Sequence, residues 1–326
     1  NGNYIPALEA IVKYDNFDHI KYIFDSKENL LFKQSLNAHF TLGTDTTSKM
    51  MVFKPDPMTK AQVFWVNGND YDMNDQNSAF LDPLRDTVSI ELFYDNISNA
   101  FKLENDRCII KEFSTPVVPI VTSTVPFFDY SRSNSGFEQV NAYYHITNTQ
   151  KHLVNMGFDL VDYKIEVDVN ALNGQDNSMF NFGCSPPRLF FGEGGVDDAE
   201  DADVVVHEYG HAISHSANGS SNNIGTERRC LDEANGDYYA ASYSFSVNPY
   251  KWENIFSWDG HNQYWNGRDG DNPLNKMYPI SFTSGNIYSH TDLWVCPLME
   301  IYMAIGKFKT DQLVTESLYG YFPNMT

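Results

Sequence analysis

Residues 204–213, VVVHEYGHAI, constrain the fold and chemistry of this chain more than any other stretch. An α-helix has about 3.6 residues per turn, so His207 and His211 fall one turn apart on one face and can bind one metal ion, with Glu208 beside them. Residues 197–203 just upstream are rich in Asp and Glu, which the helix dipole favours at an N-terminus. The pattern predicts a helix, buried through its opening valines, that carries a metal site.

A second helix is predicted at residues 231–241, LDEANGDYYAA, where Glu233 and Asp237 share one face. Imidazole nitrogens and carboxylate oxygens suit Zn²⁺, and a catalytic zinc ion commonly takes three protein ligands and one water. Glu233 is therefore the expected third ligand. Glu208 is expected to take a proton from the zinc-bound water. The alternative for the five-residue motif alone is a chance match on an ordinary surface helix.

The motif HExxH followed by ExxxD resembles the gluzincin metallopeptidases, the thermolysin-like group, and the run HEYGHAIS is most similar to their fungalysin branch. The resemblance covers roughly residues 46–320. It implies an α+β fold of two lobes, β-rich at the N-terminus and helical at the C-terminus, with the zinc helix between them. It also implies a secreted zinc endopeptidase in which Asp237 hydrogen-bonds a ligand histidine, as carboxylates behind zinc-bound imidazoles usually do.

Further site residues follow from the same resemblance. His290, in the segment YSHTDLW ahead of an apolar helix, matches the family's oxyanion-stabilising histidine; a histidine with a local partner at a helix N-terminus is the alternative. Arg268, in GRDGDNP, matches the arginine that binds a backbone carbonyl of the substrate, and a surface ion pair is the alternative. Asn177 and Ser178 match the strand edge that pairs with the bound peptide, unless they form an ordinary polar turn.

The sequence departs from the family pattern in two places. The loop at residues 215–225 has no tyrosine to assist the oxyanion, and Tyr288 is the candidate to replace it. The acidic cluster of the family's double calcium site is missing, because residues 240–244 read AASYS. Ca²⁺ binding is instead conceivable at residues 70–75, DYDMND, although a solvated acidic loop is the alternative since this run lacks the Gly and closing Glu of an EF-hand.

A chain of 326 residues predicts about two lobes. We expect a β-hairpin segment at 1–45, derived from a propeptide or belonging to the N-terminus of the enzyme, with strand-like runs at 19–24 and 30–34. Residues 46–215 are expected to form the β-rich lobe that ends in the zinc helix, and residues 216–326 a helical lobe that is compact or truncated. Strands are predicted at 88–93 and 164–169 and helices at 137–153, 293–304 and 311–319, with His145 and His152 on the surface of the first helix.

The chain carries 22 basic and 43 acidic residues, a net charge of -21, which argues against nucleic acid or an anionic membrane as a partner. The sequence contains no stretch of eighteen apolar residues, so it predicts no membrane span. The expected partners are protein or peptide substrates and the chain's own propeptide, and the start at Asn1 without a signal peptide indicates processing. The four cysteines form no C-x-x-C pair, and either a bridge between Cys230 and Cys296 or free thiols fit the sequence.

Four functions compete to explain these features. The leading hypothesis is a zinc endopeptidase that hydrolyses internal peptide bonds. A catalytically inactive gluzincin-like fold that acts as a binding or adhesion module would fit the missing tyrosine. An aminopeptidase should carry a Gly-x-Met-Glu-Asn strand, and the sequence has none. A carbohydrate-binding protein would account for the aromatic-rich residues 250–279, although packing is the commoner use of such rings.

Overall fold

The computed structural model describes residues 7–14, 18–27, 30–35, 43–64, 76–219, 224–282 and 285–325. Its strands are β1 (Ala7–Tyr14), β2 (Asp18–Asp25), β3 (Leu30–Ser35), β4 (Gly43–Val52), β5 (Asp86–Asp95), β6 (Ala100–Lys102), β7 (Cys108–Ile110), β8 (Thr122–Ser123), β9 (Phe127–Phe128), β10 (Ile165–Asp168), β11 (Ser178–Asn181), β12 (Arg188–Phe191), β13 (Asn254–Ile255) and β14 (Arg268–Asp269). Its helices are α1 (Pro57–Ala61), α2 (Gly136–Met156), α3 (Ala202–Asn218), α4 (Thr226–Val247), α5 (Asp292–Ile305) and α6 (Lys307–Ser317). The fold is mixed α+β.

The N-terminal strands form an antiparallel sheet in the order β1-β2-β3. The hairpin predicted around residues 25–29 is confirmed, because β2 and β3 pair in antiparallel register from Ile20↔Ser35 to Phe24↔Leu30. The origin of this segment in a propeptide stays a prediction.

A second sheet has the strand order β8-β6-β5-β4-β9. Its centre is the antiparallel pair β4–β5, in register from Gly43↔Asp95 to Val52↔Asp86, and the strand predicted at 88–93 lies inside β5. Met50, Ile90 and Leu92 are buried, so one face of the sheet packs into the main core.

A third sheet, in the order β11-β12-β10-β7, positions one wall of the candidate site. β10 lies within the strand predicted at 164–169 and runs parallel to both of its neighbours. All four of its residues are buried, as expected for a central parallel strand covered on both faces. Among the residues that the structure describes, β11 pairs antiparallel with β12 alone, so it forms an edge of this sheet.

α2 confirms the helix predicted at 137–153, but the prediction that His145 lies on its surface is wrong. His145 is fully buried: its Nε2 donates to the carbonyl of Phe53, and its Nδ1 accepts from the Tyr243 hydroxyl, both at 2.9 Å. Burial lowers the pKa of His145 to about 3, so the ring is neutral. His152 is half-buried, because its ring contacts Asp311 on α6.

The C-terminal helices agree with the prediction for residues 293–304, and the predicted helix at 311–319 begins earlier, at Lys307. The four cysteines are free thiols, so the bridge considered between Cys230 and Cys296 is not formed. Burial raises the pKa of the Cys230 thiol to about 12. In the part of the chain that the structure describes, no helix combines the length and apolarity needed to cross a membrane. Residues 70–75, considered for calcium, lie outside the described residues.

Candidate metal centre

The helix that carries the histidines is α3, which confirms the prediction for this stretch. Asp201 is its N-cap and accepts a hydrogen bond from the backbone N–H of Asp203. Residues 202–206 are buried, which fixes the helix in the core and presents the next turn to a cavity. The rings of His207 and His211 meet edge to face there, with centroids 4.8 Å apart.

Two glycines let α3 and α4 approach closely at the centre. A Cβ added to Gly210 would lie 3.0 Å from the Cα of Gly236, and a Cβ on Gly236 would lie 2.6 Å from Nδ1 of His207. Any larger residue at Gly236 would therefore push against the imidazole ring. This contact brings Glu233, one turn before Gly236 on α4, to the two histidines.

Glu233 completes a three-residue donor set with His207 and His211. Its Oε2 lies 3.4 Å from Nε2 of His207, and its Oε1 lies 3.8 Å from Nε2 of His211. Two ligands at about 2.1 Å from a tetrahedral zinc ion are roughly 3.4 Å apart. The two separations, each to a different oxygen of Glu233, are close to this value. Two imidazole nitrogens and one carboxylate are also a donor set found in catalytic zinc sites. The residues present therefore fit this ion.

A carboxylate on α4 lies behind each of the two rings. Nδ1 of His207 lies 2.9 Å from Oδ1 of Asp237, and Nδ1 of His211 lies 2.9 Å from Oδ2 of Asp232. Both rings then direct Nε2 towards Glu233. Asp237 was predicted for this position, but sequence reasoning missed Asp232, whose other oxygen accepts from the Ser214 hydroxyl. The available signal was an acidic residue directly before the predicted ligand.

The charges of these groups depend on one another. Burial lowers the pKa of His207 and of His211, but the neighbouring carboxylates have the larger effect, so both pKa values are raised. The pKa of His211 rises to about 10, mainly through its hydrogen bond with Asp232. Burial raises the pKa of Glu233, but the two histidines lower it to about 2. Glu233 is thus ionised, and the imidazoles hold protons that a metal ion would displace on binding.

Glu208 lies beside the donor set with its side chain almost fully buried. One ligand atom each from Glu208, His207 and His211 lie within 4.8 Å of one another. Its Oε2 accepts no hydrogen bond from any described residue. Burial raises the pKa of Glu208, although the charges of the histidines oppose this effect. A carboxylate with an open acceptor and a raised pKa is suited to take and return a proton.

Arg268 joins this cluster from β14. Its guanidinium lies 2.7 Å from Asp237 and 3.3 Å from Glu233, and it also stacks on the ring of Tyr288, 4.9 Å from its centroid. The ion pair considered as an alternative therefore exists, but with the two carboxylates of the site. Charge from Arg268 holds Glu233 and Asp237 together against their mutual repulsion.

The site opens on a cavity of about 990 Å³. Eight of the ten predicted site residues line it: His207, Glu208, His211, Glu233, Arg268, Asn177, Ser178 and Tyr288. Asp237 lies behind the lining, in contact with His207 and Arg268. His290 is the other exception. Ser289 and Thr291 line the cavity, whereas the buried ring of His290 packs against Phe282 at 5.1 Å. A role for His290 at an oxyanion stays a prediction.

Asn177 and Ser178 lie where β11 begins, at the free edge of the third sheet. The Asn177 carbonyl accepts from the Gly192 N–H, and the Ser178 hydroxyl donates to Asp198. The Asn177 carbonyl and the Ser178 hydroxyl thus fix the start of the edge strand, and both residues also line the cavity.

A scan against models of known protein families gives no match for this sequence. A search of curated proteins also finds no significant match.

Proposed function

We propose that this protein is a zinc-dependent endopeptidase that hydrolyses internal peptide bonds of proteins. The observation that carries the proposal is the convergence of His207, His211 and Glu233 at zinc-ligand separations, with the unpartnered Glu208 oxygen beside them on the wall of an open cavity. Asp232 and Asp237, behind the imidazoles, add the outer partners that such ligands use.

His207, His211 and Glu233 would hold the ion, which when bound supplies a Lewis acid that makes a water molecule a stronger acid. Glu208 accepts the proton of the attacking water on its free oxygen and returns it to the amine that leaves. Its burial favours the protonated carboxyl halfway through the reaction. The Tyr288 hydroxyl and the Arg268 guanidinium, both on the cavity wall, are the candidate donors to the carbonyl oxygen and the peptide backbone.

The edge strand β11 supports a peptide as the substrate. Because β11 pairs with described residues on one side only, its other side can add an extended chain by backbone hydrogen bonds. Such bonds recognise a peptide without regard to its side chains. Asn177 and Ser178 lie at the end of this strand next to the cavity. Backbone pairing along a strand edge needs no free chain terminus, which suits cleavage within a protein.

The proposal also covers the family to which the protein belongs, its domain architecture and its location outside the cell. The order of HExxH, ExxxD and the Arg268 segment supports a thermolysin-like two-lobe enzyme of the gluzincin group, closest to fungalysin, in which α3 lies between a β-rich and a helical lobe. Such an enzyme would be secreted and act outside the cell, and a propeptide would be its first partner.

The experiment is a casein-cleavage assay on the purified chain with 1,10-phenanthroline. We expect cleavage, loss of cleavage when the chelator is added, and recovery when Zn²⁺ is restored. A protein that takes up one zinc ion per chain but cleaves neither casein nor a library of mixed peptides would instead be an inactive binding module. Cleavage that survives complete removal of metal would contradict the proposal.

A further inference from the structure

A second group of carboxylates lies on the same cavity, apart from the metal centre. Asp176, Asp198 and Asp259, here called the aspartate triad, each place one oxygen within 4.8 Å of the other two. Asp198 and Asp259 are only 3% and 4% exposed, whereas Asp176 is exposed, so the group opens to solvent on one side. All three residues line the cavity.

Each buried member of the triad has one oxygen satisfied and one without a partner. Oδ2 of Asp198 accepts from the Ser178 hydroxyl, and Oδ2 of Asp259 accepts from Nε1 of Trp265 at 3.0 Å. Oδ1 of each accepts no hydrogen bond from any described residue. An unsatisfied buried acceptor is unfavourable, and two of them beside a third carboxylate need a counter-charge or a proton.

Two neighbouring buried carboxylates are satisfied by hydrogen bonds from the protein itself. Asp201 accepts from the backbone N–H groups of Trp258, Asp259 and Asp203, and Asp203 accepts from the N–H of Phe256 and the hydroxyl of Ser244. These two carboxylates need no ion, because amides and hydroxyls surround them.

A third acidic group, Glu138, Asp197 and Glu200, has a cation of its own. Arg132 is fully buried, and its Nε pairs with Glu200. By contrast, none of the ion pairs among the described residues involves Asp176, Asp198 or Asp259. Burial and the charges of its neighbours raise the pKa of Asp198 and of Asp259 well above the usual range.

We infer that the aspartate triad is a binding site for Ca²⁺, separate from the zinc centre. All its donors are carboxylate oxygens, which a hard divalent cation prefers and which Zn²⁺ would leave for the histidines. Three carboxylates supply part of a shell of six to eight oxygens, and water on the open side of Asp176 supplies the remainder. A single ammonium group would neutralise only one of the three charges.

The ion would join three segments that build the cavity. Asp176 directly precedes the Asn177 edge, Asp198 lies in the turn that leads into α3, and Asp259 begins the connection to Arg268. Ca²⁺ at the triad would therefore fix the edge strand relative to the zinc helix. This inference does not depend on peptidase activity, since it concerns binding alone.

The test is calorimetric titration of CaCl2 into the zinc-loaded full chain after prior removal of Ca²⁺, with thermal unfolding as a second readout. We compare the parent with Asp176→Asn, Asp259→Asn and the control Asp269→Asn, which removes the same charge from the same cavity outside the triad. We expect the parent and the control to bind Ca²⁺ with a rise in Tm. Asp176→Asn and Asp259→Asn should lower the affinity at least about tenfold.

If Asp259→Asn fails to fold, Asp176→Asn alone tests the site, because Asp176 is exposed and its substitution should leave the fold intact. Equal Ca²⁺ affinity and Tm shift in Asp176→Asn and the parent would overturn the site. No Ca²⁺ uptake by the parent would overturn it too. If the parent takes up no Ca²⁺ and Asp176→Asn reduces cleavage only of peptides with a Lys or Arg side chain, the triad is a specificity pocket and not a Ca²⁺ site.

Discussion

Nδ1 of His211 lies 2.9 Å from Oδ2 of Asp232, the residue directly before the proposed ligand Glu233. α4 also carries Asp237, whose Oδ1 lies 2.9 Å from Nδ1 of His207, so one helix provides the proposed ligand and a carboxylate behind each imidazole. The second helix shapes the candidate metal centre as much as the HExxH helix does.

Replacing either orienting carboxylate should weaken zinc binding. Asp232→Asn and Asp237→Asn each lose the charge that fixes an imidazole and raises its basicity, and we expect zinc affinity to fall about 10- to 100-fold. Competition with a chromogenic chelator measures the affinity. Asp269→Asn, a charge-matched change on the same cavity, should bind zinc as the parent does. Parental affinity in both variants would mean that these carboxylates do not support the ligands.

The close approach of α3 and α4 predicts an unusual response to alanine at Gly236. A Cβ there would lie 2.6 Å from Nδ1 and 2.7 Å from Cε1 of His207, so the ring must move away from Asp237. Although alanine is the better helix former by about 1 kcal/mol, we expect Gly236→Ala to lower the free energy of unfolding by roughly 1–3 kcal/mol and to weaken zinc binding.

The control for this substitution is Gly320→Ala, since no atom lies within 4 Å of a Cβ at that position. Urea unfolding and chelator competition are measured on both variants. A Gly236→Ala protein with parental stability and zinc affinity would contradict the crossing geometry.

Arg268→Lys separates charge from hydrogen-bond geometry. Lysine keeps the positive charge near Asp237 and Glu233, so zinc content should be unchanged, but it loses the planar fork that can serve a substrate carbonyl as well. We expect kcat/KM on a peptide to fall roughly 10- to 100-fold, the equivalent of about 1.5–3 kcal/mol. The reciprocal change Lys276→Arg, on the same cavity, should leave kcat/KM near the parental value. An unaltered kcat/KM in Arg268→Lys would remove Arg268 from substrate binding.

Acid should weaken the packing of α2, α4 and α6 through Asp311. Its buried carboxylate accepts from the hydroxyls of Tyr238 and Ser242 and pairs with Lys307 and His152. Burial raises the pKa of Asp311, but Lys307 and these hydrogen bonds lower it to about 2 from 3.8. A lowered pKa adds stability that is complete above about pH 5 and lost as the pH falls towards 2.

The measurement is urea unfolding of the parent and of Asp311→Asn at several pH values. The stability advantage of the parent should shrink by about 2 kcal/mol between pH 6 and pH 2, because asparagine does not titrate. Other carboxyl groups titrate in both proteins and cancel in the difference. An advantage that is independent of pH would show that Asp311 is not held ionised by these contacts.

The elements that could be predicted from sequence are those fixed by short spacings. Helical periodicity gave α2 and α3, alternation gave β5, and a turn cluster between two apolar runs gave the β2–β3 hairpin. The surface prediction for His145 failed because its partners, Phe53 and Tyr243, are 92 and 98 residues away in the chain. Such pairings are set by the packing of the whole core, which one helix does not encode.

The same limit applies within the site. The spacing of His207, Glu208 and His211 follows from one helix, but the position of Glu233 against them depends on how α4 crosses α3 at Gly236. Asp232 was not predicted, because the crossing of α3 and α4 determines which carboxylate faces His211.

The most direct test of the central claim is zinc content and casein turnover measured together on the parent and on Glu208→Gln. Glutamine leaves His207, His211 and Glu233 in place but cannot accept a proton. We predict one zinc ion per chain in both proteins and a turnover at least about 100-fold lower in the variant. A Glu208→Gln protein that cleaves casein at the parental rate, or a parent that binds no zinc, would contradict the account.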